Sequence, residues 1–154
     1  MSTFDPNTFL NTTLTESNST VAVPCPPGEY HAVTTEVPKF RENQGTKDPT
    51  KSYLSLDVLW EISDPAVVEV TSRNPTKVRQ SILIDRNEAG GIDVAKGKNV
   101  ALGRLREALG MNEPGKPFSF TNLAGQSAKV TVVNRPDPND PDRVYDEVKA
   151  VARA

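Results

Sequence analysis

The strongest pattern in the chain is a strict alternation over residues 51–62. There Leu54, Leu56, Val58, Trp60 and Ile62 interleave with Tyr53, Ser55, Asp57, Leu59 and Glu61. A period of two is that of a β-strand, so one row faces a core and a mostly polar row faces away from it. Four other stretches read the same way. Residues 29–37 are rich in Tyr, Val and Thr and end at Pro38. Residues 77–84 set Val78, Ile82 and Ile84 against Lys77, Arg79 and Ser81. Residues 125–135 set Ala128, Val130 and Val132 against Lys129, Thr131 and Val133. Residues 143–151 put Val144, Asp146, Val148 and Ala150 on one side and Tyr145, Glu147, Lys149 and Val151 on the other. A short additional strand is expected over 67–71, and a polar loop with Asn43, Gln44, Gly45, Lys47, Asp48 and Pro49 separates the first two strands.

Between the third and fourth strands the period becomes helical. Leu102, Leu105 and Leu109 share one face of a helix over about 99–109, with Asn99 expected to cap its start and Gly110 to end it. Gly103 is a poor helix former, and a close approach of the helix to a strand is its expected use. Three strands, one helix and two strands make a mainly β chain. A five-stranded sheet escapes its exposed edges by curling into a barrel, with the helix after the third strand plugging one end. That is the OB-fold arrangement. The alternative is an open antiparallel sheet with the helix across one face. Residues 1–23, rich in Thr, Ser and Asn, read as a flexible N-terminal arm, and the OB-fold-like domain occupies 24–154. Phe4, Phe9, Leu10 and Leu14 are the arm's apolar exceptions and would pin it to the domain or to a neighbouring subunit.

Length and composition narrow the chemistry. The 154 residues suffice for one domain with a hydrophobic core, and the 36% apolar share points to a small core with long polar loops. Net charge is −2, so an anionic partner must be met by a local group of Lys and Arg. Cys25 is the single cysteine, which leaves neither an internal disulfide nor a zinc cluster and fits a reducing cytoplasm. No stretch has the ~18 apolar residues of a membrane span, and no secretory signal is visible. His31 is the only histidine and stands in a strand with no nucleophile motif around it. Gly90, Gly91 and Gly97 lack the spacing of a phosphate loop, and Asp137, Asp140 and Asp142 match a calcium loop only loosely. The expectation is a protein that is not an enzyme and takes no cofactor or metal.

What the strands do offer is cations interleaved with rings, the combination that holds single-stranded nucleic acid by its phosphates and bases. Lys39, Phe40, Arg41, Lys47 and Lys51 crowd the loop between the first two strands. Tyr53 and Lys51 share the outward row of strand two, and Lys77 and Arg79 the outward row of strand three. Arg135 and Arg143 bracket the last hairpin. In an OB-fold these positions border one groove. The ordinary reading is that outward strand faces of any soluble domain carry Lys and Arg. Tyr30 can be a core residue, Trp60 is one, and Glu29, Glu36, Glu42, Asp48, Asp57 and Glu61 dilute the positive charge.

Four features together resemble a phage-encoded family of single-stranded-DNA-binding proteins. They are the leader ending in Pro26-Pro27-Gly28-Glu29-Tyr30-His31-Ala32, the long strand from Tyr53 to Ile62, the helix from Asn99 to Gly110, and Leu123-Ala124-Gly125-Gln126-Ser127-Ala128-Lys129-Val130-Thr131-Val132 with the closing Val148-Lys149-Ala150-Val151. The resemblance covers about 24–154 and rests mostly on structural motifs. It implies binding of single-stranded DNA without strong sequence preference, in phage replication, recombination or repair. The setting would be the cytoplasm of an infected bacterium, with self-association and replication or recombination proteins as further partners. Many single-strand-binding proteins end in an acidic recruiting tail, whereas this chain ends Lys149-Ala150-Val151-Ala152-Arg153-Ala154. The rival reading is a phage structural or assembly protein that uses the same fold, and its arm, to bind protein.

Overall fold

The computed structural model describes residues 4–45 and 52–154. The domain is an antiparallel sheet of six strands: β1 (Gly28–Val33), β2 (Lys39–Gln44), β3 (Ser52–Ile62), β4 (Thr76–Ile84), β5 (Ser127–Asp137) and β6 (Asp140–Ala152). Helix α1 (Pro6–Leu10) precedes the sheet, α2 (Pro65–Thr71) joins β3 to β4, and α3 (Val100–Ala108) joins β4 to β5. None of the described helices is long and apolar enough to cross a membrane.

The mainly β, antiparallel expectation holds, and the helix falls where the leucine spacing put it. The strand count differs. Lys39–Gln44 belongs to the expected polar loop, yet it forms β2, pairing with β3 from Lys39 opposite Asp57 to Gln44 opposite Ser52. All six of its residues are exposed, so no apolar alternation marks it. Tertiary pairing alone makes it a strand. β4 takes the other edge of β3, from Leu54 opposite Ile84 to Ile62 opposite Thr76. β1 meets the far end of β3 at Val33 and Glu61 and pairs along its length with β5. A residue has one neighbour on each side in a ladder, so β1 and β2 follow one another along the same edge of β3, interrupted near Pro38. β5 pairs with β6, and β6 comes near β4 without a described ladder between them. The hydrogen-bonded sheet is therefore not closed.

The core fills the inner face. Leu56, Val58, Trp60 and Ile62 from β3, Val78, Ile82 and Ile84 from β4, Ala128, Val130 and Val132 from β5, and Leu102 and Leu105 from α3 are all buried. The indole of Trp60 is fully buried, and its Nε1–H donates to Gln80 Oε1 at 2.9 Å. That bond satisfies the one polar group the ring carries.

Four local expectations are corrected. Residues 67–71 form the last five of the seven residues of α2, not a strand: the Asp64 side chain accepts the Ala66 N–H at 2.9 Å, Pro65 opens the first turn, and Val67 and Thr71 bury one face. Asn99 precedes α3 in a left-handed conformation, and its side chain makes no capping bond to the helix. Its amide instead receives the Asp85 N–H at 2.7 Å and donates to the carbonyls of Asp85 and Asp93, tying the helix start to the end of β4. At Gly103 an added Cβ would meet nothing within 4 Å, so close packing is not why a glycine stands there. A bulge shifts the β5–β6 register between Thr131 and Val132, which pair with Ala150 and Val148. Past it the faces exchange: Val148 is buried, Ala150 is exposed, and Val151 packs on the core.

The arm carries α1, whose start is capped by Asp5 accepting the Asn7 N–H at 3.0 Å. None of its residues is buried, and Phe4, Phe9, Leu10 and Leu14 are all well exposed. The arm's far end is held: Arg73 Nη2 donates to the Val23 carbonyl at 2.5 Å. Cys25 begins the core. Its N–H donates to Asp146 Oδ2 at 2.7 Å, and burial pushes its thiol up to about 11. It is a packed thiol and not a nucleophile.

Candidate functional site

The outward face of β3 and β4 is one continuous surface, because their ladder keeps equivalent parities together. Ser55 lies opposite Leu83, Asp57 opposite Ser81, Leu59 opposite Arg79 and Glu61 opposite Lys77. β2 extends two of these rows, bringing Arg41 opposite Ser55 and Lys39 opposite Asp57, and places Asn43 opposite Tyr53. Tyr53, Lys77 and Arg79 thus share a face, as the alternation predicts, and the pairing of β2 with β3 adds Lys39 and Arg41 to it. The Tyr53 side chain is 48% exposed. It stands at one end, over a hollow of about 520 Å³ where Leu83, Arg86 and Lys98 are joined by Asp85, Glu88 and Asp93.

The other end is a cleft of about 630 Å³ between this face and the β5–β6 hairpin. Leu59, Lys77, Arg79 and Ser81 form one wall, and Arg135, Pro136, Pro138, Tyr145, Asp146 and Glu147 form the other. A smaller recess of about 210 Å³, lined by Glu36, Val37, Lys39, Asp57, Val58, Leu59 and Arg79, joins it through Leu59 and Arg79, and Glu36 adds a negative charge to it.

The charges in this trough are not equally available. Arg41 Nε lies 3.5 Å from Asp57 Oδ2, and Ser81 donates to the same carboxylate, so the guanidinium and the carboxylate largely neutralise each other. Glu61 accepts a hydrogen bond from Thr35. In the cleft, Glu147 pairs with Arg135 at 2.5 Å, and Asp146 receives the Cys25 N–H. Asp137 receives the Asn139 N–H and the Tyr145 hydroxyl at 3.0 Å, and these bonds hold its carboxyl below the usual carboxylate range. Lys39, Lys77 and Arg79 are exposed and have no carboxylate within 4.0 Å among the described residues. These three cations remain for an external anion.

Several expected residues fall elsewhere. Phe40 pairs with the core residue Leu56, so its ring is on the inner side of β2, edge-on to Phe120 with centroids 4.9 Å apart. Tyr30, readable from the sequence as a core residue, is indeed half-buried against the core, with its hydroxyl donating to the Pro26 carbonyl at 2.9 Å. Neither ring can stack in the trough. Arg143 lines a separate recess with Arg73 and 21–24, while its guanidinium carbon lies 5.4 Å from the centroid of the Tyr145 ring. Arg135 does line the cleft, already paired. Lys47 and Lys51 lie outside the described residues.

The sequence reading did not single out Leu59, Ser81 or Tyr145. A usable signal existed for Tyr145, an aromatic in the outward row of the last strand. Nothing local, however, says that this strand returns beside β4. No protein-family model matches the chain, and a search of curated proteins likewise finds no match.

Proposed function

We propose that this protein binds single-stranded DNA along the outward face of β3 and β4, without catalysing a reaction on it. The observation that carries the reading is the trio Lys39, Lys77 and Arg79, with no carboxylate within 4.0 Å among the described residues, on the same face as the exposed Tyr53 ring. Unneutralised cations hold phosphates, and a half-exposed ring offers a stacking surface of about 1–3 kcal/mol to any base. Backbone contacts with stacking give affinity without sequence preference. The strand course supports an OB-type barrel left partly open. β1 and β2 act as one broken first strand, α3 sits under the sheet, and the β5–β6 hairpin brings β6 towards β4. In such barrels the groove for oligonucleotides runs over this face. The resemblance of 24–154 to phage single-strand-binding proteins points the same way, towards replication, recombination or repair in an infected bacterial cytoplasm.

Fluorescence anisotropy with labelled oligo-dT at low and high salt tests the reading. Binding should be measurable at low salt and weaken as salt rises. Lys77→Glu with Arg79→Glu should remove most of it while leaving the circular dichroism spectrum intact, because both side chains face outward. A wild-type protein that ignores oligo-dT at low salt would sink the idea.

A second reading has one observation in its favour. Phe4, Phe9, Leu10 and Leu14 are 65–82% exposed on the arm, an apolar group in which Phe4 and Phe9 touch each other and no residue is buried. In an assembly protein that arm would dock on another subunit. Failure to bind oligo-dT, together with self-association lost on removing the arm, would decide for it.

A further inference from the structure

We infer that Tyr145 is a second base-stacking position, so that the trough grips a strand by two rings set at opposite ends. The inference rests on the reading of the trough as a single-strand site. Three observations carry it. First, the Tyr145 ring is fixed yet open: its hydroxyl donates to Asp137 Oδ2 at 3.0 Å and the Arg143 guanidinium stands 5.4 Å from its centroid, but the residue remains 48% exposed. A ring already ordered loses little freedom when a base settles on it. Second, Tyr145 lines the same cleft as Lys77 and Arg79, the cations of the trough with no carboxylate within 4.0 Å among the described residues. Of the acidic groups nearby, Glu147 is neutralised by Arg135, while Asp146 and Asp137 keep their charge and accept the Cys25 N–H and the Tyr145 hydroxyl, so Lys77 and Arg79 supply the attraction for phosphate. Third, Pro136 and Pro138 stand in the same wall and add apolar surface beside its charged residues.

The span of the trough from Tyr53 to Arg79 sets a ligand length. Leu54 pairs with Ile84, which puts Tyr53 beside Asp85, and Arg79 lies six residues back along β4. At ~3.3 Å per residue that is about 20 Å of strand. The ligand is therefore a single strand of several nucleotides, within the roughly 4–16 that one such domain covers. A trinucleotide reaches one ring only.

The test is anisotropy with dT3 and dT12 on the full chain, using Tyr145→Leu and Tyr145→Phe. Tyr145→Leu keeps bulk and removes the ring, and should weaken dT12 by at least about five-fold, while dT3, still served by Tyr53, changes by at most about two-fold. Tyr145→Phe keeps the ring and should bind dT12 within about two-fold of wild type. A dT12 carrying 5-iododeoxyuridine, photo-cross-linked to the wild-type protein, should mark Tyr145 in the peptide map, and this reading needs no variant to fold. Wild-type dT12 affinity in Tyr145→Leu, or cross-links that miss Tyr145, would overturn the second ring and leave the trough standing if Lys77→Glu with Arg79→Glu still abolishes binding. No binding of dT12 by the wild type would overturn both.

Discussion

Trp60 and Gln80 show how a single contact links sequence to stability. The indole is fully buried, and Gln80, itself 8% exposed, accepts its N–H. Gln80→Ala leaves that donor unpaired in a dry core and opens a cavity beside it. We expect a loss of about 2–4 kcal/mol, read as a lower urea midpoint. Residue-level expectations succeeded where parity within one unbroken strand decides the side. Leu54, Leu56, Val58, Trp60 and Ile62 point inward, and Tyr53, Lys77 and Arg79 point out. They failed where the strand itself was not visible. Phe40 belongs to β2, whose residues carry no alternation, and only pairing with β3 turns its ring inward. Tyr30, on the visible strand β1, takes the inner row opposite Val130, the core position that its sequence allowed.

Among the elements, α3 combines a well-read face with an unexplained glycine. Leu102 and Leu105 are buried as their spacing requires, while Gly103 is surrounded by room. Gly103→Ala should therefore stabilise the protein by about 1 kcal/mol, the usual helix penalty of glycine, seen as a higher melting temperature. A destabilising substitution would mean that the added methyl meets a neighbour, against the open space beside Gly103. Helices and strands with their own periodicity were legible. α2 was not, because seven residues hold too few turns to separate a helix from a strand, although Asp64 and Pro65 carried a start signal. The bulge at Thr131 and Val132 was invisible for another reason. It exchanges the faces of β6 through the partner strand's register, so Ala150 and Val151 take sides that their own sequence does not specify.

For the molecule as a whole, net charge is −2, so long-range attraction to a polyanion is absent and binding must come from the local trio. If Lys39, Lys77 and Arg79 each meet a phosphate, the plot of log Kobs against log salt for oligo-dT should have a slope of about −2. Lys77→Ala should make it shallower by about 0.7. An unchanged slope would place the phosphates elsewhere. The sequence alone determined which stretches alternate, where the helix lies between strands, and which basic and aromatic residues share a row, since each follows from local spacing. Only the tertiary structure decided that β2 exists, that the β5–β6 hairpin stands across from β4, that Arg41 and Arg135 are consumed by carboxylates, and that Tyr145 joins Lys77 and Arg79. Those outcomes depend on pairings between residues far apart in the chain, and a periodicity carries no information about its partner.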